Sequence, residues 1–185
     1  MESLSSKYEV NELINSKIIK TDEIEELLDN WLPKKPSKIL KLYDTDVDSV
    51  CSGAFHKKCD NKGETIVLVQ TDLMRFGGYT SQSWNYKLGS YISDKEAFIF
   101  SLNKKKKYPV IIPEQAIYSS VTYGPTFGSG HDFYLSSFCT TNQESYCSGT
   151  LYPVEDKYAL NNGTKNFRVV RYEVYQLVYK DIINK

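Results

Sequence analysis

From residue 37 onward the chain is a succession of short apolar runs broken by clusters of Gly, Pro, Asn, Asp and Ser. That punctuation is the pattern of strands joined by turns. Residues 39–43 form one short run, and Thr65–Thr71 forms a fuller one, nearly continuously apolar through Val69. Arg75–Thr80 follows directly after a turn at residues 71–74, which predicts a hairpin. Residues 97–102, Ala-Phe-Ile-Phe-Ser-Leu, read as a strand buried on both faces. Residues 116–119, 132–136 and 167–178 complete the set, the last being long and β-branched. One helix interrupts, with Ser49 as its cap, Val50, Ala54 and Phe55 on one side, and Asn61 to Gly63 as its end. Strands that do not alternate with long helices argue against a doubly wound parallel sheet. They predict an α+β, mainly β fold: a two-sheet antiparallel β-sandwich with flanking helices over residues 37–180.

Residues 1–36 have a different character. They hold five Lys and eight Asp or Glu, while the whole chain balances at 23 basic and 23 acidic residues. Ser6 and Glu9 match a capping box, and Val10, Leu13, Ile14 and Ile18 fall on one helical face. Thr21 is a second N-cap candidate, with Asp22 and Glu23 suited to the helix dipole. Ile24, Leu27, Leu28 and Trp31 then recur at helical spacing, and Pro33 and Pro36 stop the helix. Two N-terminal helices are therefore expected, joined to the sandwich by residues 32–36. Their apolar stripe fits two readings: a cap over the core of the following domain, or an amphipathic hairpin that binds a partner. Lys104 to Lys107 is the one low-complexity run and reads as a solvated loop tip.

Composition excludes several function classes. The chain has 185 residues, about one domain's worth, and at 41% hydrophobic and 25% charged it is built to fold. A net charge of zero lacks the basic footprint of a nucleic-acid binder. No run is apolar enough to cross a membrane, and no secretory leader is visible, so a cytoplasmic location is expected. The four Cys are too few for a disulfide framework and are expected to stay reduced.

The residues that invite a chemical reading are few. Gly77-Gly78 inside a strand pattern suggests a bulge or a close backbone approach. Gly124-Pro125 and Gly128-Ser129-Gly130 suit tight turns with positive φ. None belongs to a phosphate-cradling loop, because Tyr79-Thr80 follows the glycine pair where a Lys and a helix are required. His131 and Asp132, if both lie in one strand, point to opposite faces. Asp132 is then expected to accept from amides of the preceding glycine turn, and His131 to be a hydrogen-bonded structural residue. His56 and Cys59 share a helical turn, as a nucleophile and its base do, but no third, orienting group is evident. The bland reading packs Cys59 as a small apolar residue and leaves His56 exposed. The sharper one is a redox thiol favoured by Lys57 and Lys58. Cys51 and Cys59, like Cys139 and Cys147, have the wrong spacing for a zinc site. No metal, cofactor or catalytic set is predicted. Trp84, Tyr79 and Tyr86 read either as packing beneath a loop or as anchors for a partner.

Four segments in order resemble the TLDc domain: residues 54–63 (AFHKKCDNKG), 76–84 (FGGYTSQSW), 94–102 (DKEAFIFSL) and 123–135 (YGPTFGSGHDFYL). Phe167 and Glu173-Val174-Tyr175 are similar to the family's closing strand, so the resemblance spans residues 37–177. Ser129 stands where the family often has Gly, and residues 139–166 are only loosely similar. The resemblance implies a two-sheet sandwich flanked by helices, protection against oxidative stress by a route that need not be enzymatic, and binding to the vacuolar proton-pumping ATPase. The expected function is thus a non-enzymatic protein-interaction module, with any membrane association made through its partner. Its candidate partner surface lies in two Gly-containing loops carrying Phe76, Gly77, Gly78, Tyr79, Trp84, Tyr123, Gly128, Gly130, His131 and Asp132. Two alternatives stand beside it: a thiol-based redox protein or enzyme using Cys59, and a structural adaptor bound through the N-terminal helices.

Overall fold

A computed structural model describes residues 8–87 and 89–180. Two sheets make the body of the molecule. The first sheet contains β1 (Val10–Asn11), β2 (Lys38–Asp44), β3 (Thr65–Thr71), β4 (Arg75–Thr80), β6 (Phe98–Ser101), β7 (Lys106–Pro109) and β13 (Val169–Val178). Its order is β1-β2-β13-β3-β4-β6-β7. The second contains β5 (Ser90–Ile92), β8 (Ile117–Ser119), β9 (Tyr123–Phe127), β10 (Phe133–Ser136), β11 (Ser145–Cys147) and β12 (Asn166–Phe167), ordered β12-β11-β10-β9-β8-β5. All pairings within the two sheets are antiparallel except β1 with β2.

Side-chain alternation sorts the core. In β3, Val67 and Val69 face the six-stranded sheet and join Phe76, Phe127 and Phe133 there, while Ile66 and Leu68 face the other way. The outward side of the seven-stranded sheet is also buried. Leu13, Ile18, Leu27, Leu28 and Trp31 cover it and pack with Leu68, Phe100 and Leu177. That explains the continuous apolar run of β3, which is buried on both faces. It also decides between the two readings of the N-terminal stripe: it caps the chain's own sheet, so that face is not free for an adaptor role.

The N-terminal segment corrects the expectation of two helices. Ser6 of the expected capping box lies outside the described residues. Val10 and Asn11 are a strand, and Glu12–Asn15 is a single 3-10 turn. Short polar side chains compete for the backbone here. Asn11 Oδ1 accepts from Leu13 N at 3.1 Å, and Ser16 Oγ accepts from Ile18 N and Ile19 N. Val10 and Ile14 are exposed, so the expected apolar face does not form. The one α-helix among the described residues of this segment is α1, which runs as Thr21–Glu26 and continues in a π turn over Leu27–Trp31. It starts at Thr21, not after it. Lys20 holds the cap position, and its N–H donates to Glu23 at 2.8 Å.

Four other expectations change. The helix α2 (Ser52–Cys59) is capped by Cys51, whose Sγ accepts from Ala54 N at 3.4 Å, while the Ser49 carbonyl takes the Tyr43 hydroxyl. The run 167–178 is broken at Arg168: Phe167 pairs in the six-stranded sheet and Val169 in the seven-stranded one. Gly124-Pro125 is not a turn but lies in β9, and neither residue has positive φ. The lysine run keeps Lys104, Lys105 and Lys106 exposed, as a solvated tip would, but Lys106 and Lys107 belong to β7 and the ammonium groups are paired. Lys104 and Lys106 reach Glu155, Lys105 reaches Asp22, and Lys107 Nζ donates to the Trp31 carbonyl at 2.6 Å. The predicted hairpin of β3 and β4 forms in regular register.

Candidate functional site

The first expected loop is a central strand. Phe76 and Tyr79 lie in β4 with no exposed surface, and Trp84 just beyond it is equally enclosed. Trp84 Nε1 donates to Thr65 Oγ1 at 3.0 Å, and its ring meets the edges of Phe55 and Phe127. The Tyr79 hydroxyl donates to Glu64 at 2.7 Å. The glycines mark a close approach without a bulge. A Cβ on Gly77 would strike the Val67 carbonyl oxygen, and one on Gly78 would lie 2.6 Å from Phe127 Cζ. Phe76, Gly78 and Trp84 lie between the two sheets, Gly77 and Tyr79 face the N-terminal segment on the other side, and all five are enclosed.

The second expected loop splits between two faces. Gly128 and Gly130 have φ of 81° and 72°, as the turn requires, and His131 joins them at 64°. Asp132 is fully buried and points inward. It accepts from the backbone N–H of Thr150 at 2.6 Å, Leu151 at 3.0 Å and Tyr152 at 3.0 Å, and from Thr150 Oγ1 at 3.1 Å. The amides it binds therefore belong to the 150–152 segment and not to the preceding glycine turn. Gly128 leaves room for its Oδ2, where a Cβ would collide. Burial raises the Asp132 pKa, and the amide bonds oppose that shift.

His131 faces outward, among the rings of Tyr118, Tyr123, Tyr134 and Tyr146. Its Nδ1 is buried and has no hydrogen-bond partner among the described residues. Burial lowers its pKa, and the Gly128 carbonyl nearby offsets this only in part. Tyr123 is half-buried in the same cluster.

The Cys–His pair resolves differently again. His56 is buried, not exposed: Nδ1 lies 2.7 Å from Asp60 Oδ1, and Nε2 lies 2.8 and 2.9 Å from the carbonyls of Ser120 and Tyr123. An orienting carboxylate was thus missed in the sequence, although an acidic residue four positions on along a helix is a readable signal. The ring nevertheless spends Nε2 on the turn between β8 and β9, so it is not a base for Cys59. Cys59 itself is fully buried, and burial pushes its thiol pKa up, with Asp60 and Asp48 adding to the rise. Lys58 pulls the other way, as expected, but its ammonium pairs with Asp48 at 2.6 Å and burial outweighs it. Cys139 and Cys147 are buried as well, their pKa values raised to about 12 and about 11. An open cleft of about 370 Å³ beside His56 is lined by Lys57, Asn61, Tyr86 and Val121.

A second buried carboxylate, Glu173 in β13, also escaped the sequence reading. It accepts from Ser16 Oγ at 2.5 Å, Lys17 N at 3.2 Å and Tyr175 Oη at 2.8 Å, and pairs with Lys41 at 3.3 Å. It ties the N-terminal segment to the centre of the sheet.

A buried glycine facing the second sheet, a carboxylate spent on loop amides and an apolar strap over one sheet define a mainly β, two-sheet domain with few helices. The TLDc domain profile matches residues 13–178. The chain belongs to the TLDc domain family, and the match extends upstream of residue 37, into the N-terminal strap. No curated protein matches the sequence.

Proposed function

We propose that this chain is a protein-interaction module of the TLDc type, not an enzyme, that works in the cytoplasm. Its partner is a subunit of the vacuolar proton-pumping ATPase, and the chain contributes to resistance against oxidative stress. Membership of the TLDc family over residues 13–178 is the observation that carries the reading. The burial of Cys59 and the engagement of His56 by two carbonyls favour binding over thiol chemistry. Any contact with a membrane is made through the pump, since no helix among the described residues is long and apolar enough to cross one.

The test is capture of the pump from native cell extract by the tagged, full-length chain. The reading expects vacuolar-ATPase subunits to co-purify specifically. It fails if folded protein retains none of them. Sustained peroxide turnover with a thiol reductant, abolished in Cys59→Ser, would move the chain to the enzyme class instead.

A further inference from the structure

Tyrosines crowd the outer face of the six-stranded sheet. Tyr146 stands opposite Tyr134 across β11 and β10, and Tyr118 stands opposite Tyr91 across β8 and β5. Tyr123 joins the two pairs. Ring centroids are 5.1 Å apart for Tyr91 and Tyr118, 5.4 Å for Tyr118 and Tyr123, 4.7 Å for Tyr123 and Tyr134, and 5.4 Å for Tyr134 and Tyr146. The five rings form one unbroken series of contacts. Tyr91 is exposed, and the other four are half-buried.

The other oxidisable side chains are mostly shut away. Cys59, Cys139, Cys147, Met74, Trp31 and Trp84 are all buried. Cys51 is half-exposed, and Tyr86 is the main exposed tyrosine elsewhere. Among the described residues, five of the eight tyrosines that are not buried are therefore gathered in this one cluster. Burial raises the Tyr134 pKa to about 12, so its phenol keeps its proton until it is oxidised. His131 in the centre has its pKa lowered by burial, so near neutral pH it adds no positive charge that would oppose removal of an electron.

We propose that Tyr91, Tyr118, Tyr123, Tyr134 and Tyr146 form a sacrificial one-electron oxidation site that quenches peroxyl radicals by forming a dityrosine bridge within the chain. The inference rests on the oxidative-stress part of the function proposed above and gives it a route through tyrosine instead of cysteine. Each of two phenols gives its hydroxyl hydrogen, one proton with one electron, to a peroxyl radical, which becomes a hydroperoxide. The two phenoxyl rings join through their ortho carbons in a new C–C bond. Each ring then moves its ortho hydrogen to its own phenolic oxygen and regains aromaticity. Two tyrosines are each oxidised by one electron, and two peroxyl radicals are each reduced by one. Tyr123 and Tyr134, the closest pair, are placed to couple, and oxidation begun at Tyr91 or Tyr146 reaches them from ring to ring.

The full-length chain is exposed to a water-soluble azo initiator that releases peroxyl radicals, and cross-linked peptides are located by tandem mass spectrometry. The expected result is dityrosine fluorescence on single chains and a peptide joining Tyr123 to Tyr134. The double variant Tyr123→Phe, Tyr134→Phe loses that peptide and most of the fluorescence, whereas Tyr86→Phe loses neither. Bridges spread over tyrosines outside the cluster, bridges only between copies, or oxidation of Cys51 without dityrosine would each overturn the proposal. Should the double variant not fold, the bridge position in the unaltered chain decides alone. The stress role itself is read separately, from the peroxide sensitivity of cells lacking the chain. Sensitive cells whose wild-type chain forms no dityrosine refute the tyrosine route and leave that role standing.

Discussion

Gly78 in the seven-stranded sheet lies directly against the ring of Phe127 in the six-stranded sheet, so closely that a Cβ would come within 2.6 Å of Cζ and 2.8 Å of both Cε atoms. Phe127 in turn stacks on Phe133 at 4.8 Å and meets Trp84 edge-on at 5.7 Å. The absent side chain sets the distance between the sheets. Gly78→Ala is expected to cost about 1–3 kcal/mol, the usual penalty for overpacking a closed core. Gly77→Ala is expected to cost more, since its obstacle is the Val67 backbone oxygen, which cannot rotate away. Denaturant melts of the two variants check both the size and the order. Equal midpoints for wild type and variants would mean that neither close approach resists an added methyl group.

Arg75 holds Glu23 through both guanidinium nitrogens at 2.7 Å each, with Glu23 only 6% exposed. Arg75→Ala leaves that carboxylate buried without its cation and is expected to cost about 3 kcal/mol, the low end for a buried pair because Arg75 keeps some solvent contact. The double variant Arg75→Met, Glu23→Leu should recover most of the loss. A double-mutant cycle measures the coupling, and additive losses would show that the pair does not anchor α1.

Removal of residues 1–33 takes away Leu27, Leu28 and Trp31 and uncovers Leu68, Phe100 and Leu177. An apolar sheet face of that kind is an aggregation hazard. The truncated protein is expected to be oligomeric on size exclusion and to melt without cooperativity. A monomeric, cooperatively folded truncation would show that the strap is dispensable.

Thiol accessibility gives a direct readout of the cysteines. Cys51 is half-exposed, while Cys59, Cys139 and Cys147 are at most 1% exposed. An alkylating reagent should label one thiol in native protein at neutral pH and the other three only after denaturation. Native labelling of Cys59, identified by peptide mass, would revive the redox reading.

His131 makes stability depend on pH in a known direction. Burial holds its pKa below the ordinary value of about 6.5, so the unfolded chain takes up this proton first as pH falls. Its contribution is complete above the unfolded pKa and is lost as pH drops from there toward the folded value. Asn tolerates the left-handed φ of 64° found at this position. His131→Asn should therefore fold and should flatten the fall in melting temperature below that pH. Parallel pH profiles for the two proteins would remove His131 as the source.

Much of the two-sheet, mainly β fold was legible because strand chemistry is local. The apolar content of residues 65–71, the turn at 71–74 and the β-branched run 167–178 each act on near neighbours, and strands form there, the last one interrupted at Arg168. The first N-terminal helix misled for a local reason too: Asn11 and Ser16 offer side-chain bonds that compete with a helical backbone. The four TLDc-like segments were legible as well, and the family match agrees with them.

What those residues touch was not legible. Phe76 to Trp84 reads both as a hairpin strand and as part of a candidate partner loop, and only the pairing of β3 and β6 on either side of β4 closes it off. Asp132 meets the amides of residues 150–152, His56 the carbonyls of Ser120 and Tyr123, and Glu173 the Ser16 hydroxyl 157 residues away in the chain. The five clustered tyrosines come from five strands spread between residues 91 and 146, and four of them surround His131. Periodicity and turn chemistry decide which stretches become strands because those forces act over a few residues. Burial, carboxylate partners and the gathering of rings on one face depend on which strands lie side by side, and only the closed fold brings those residues within reach.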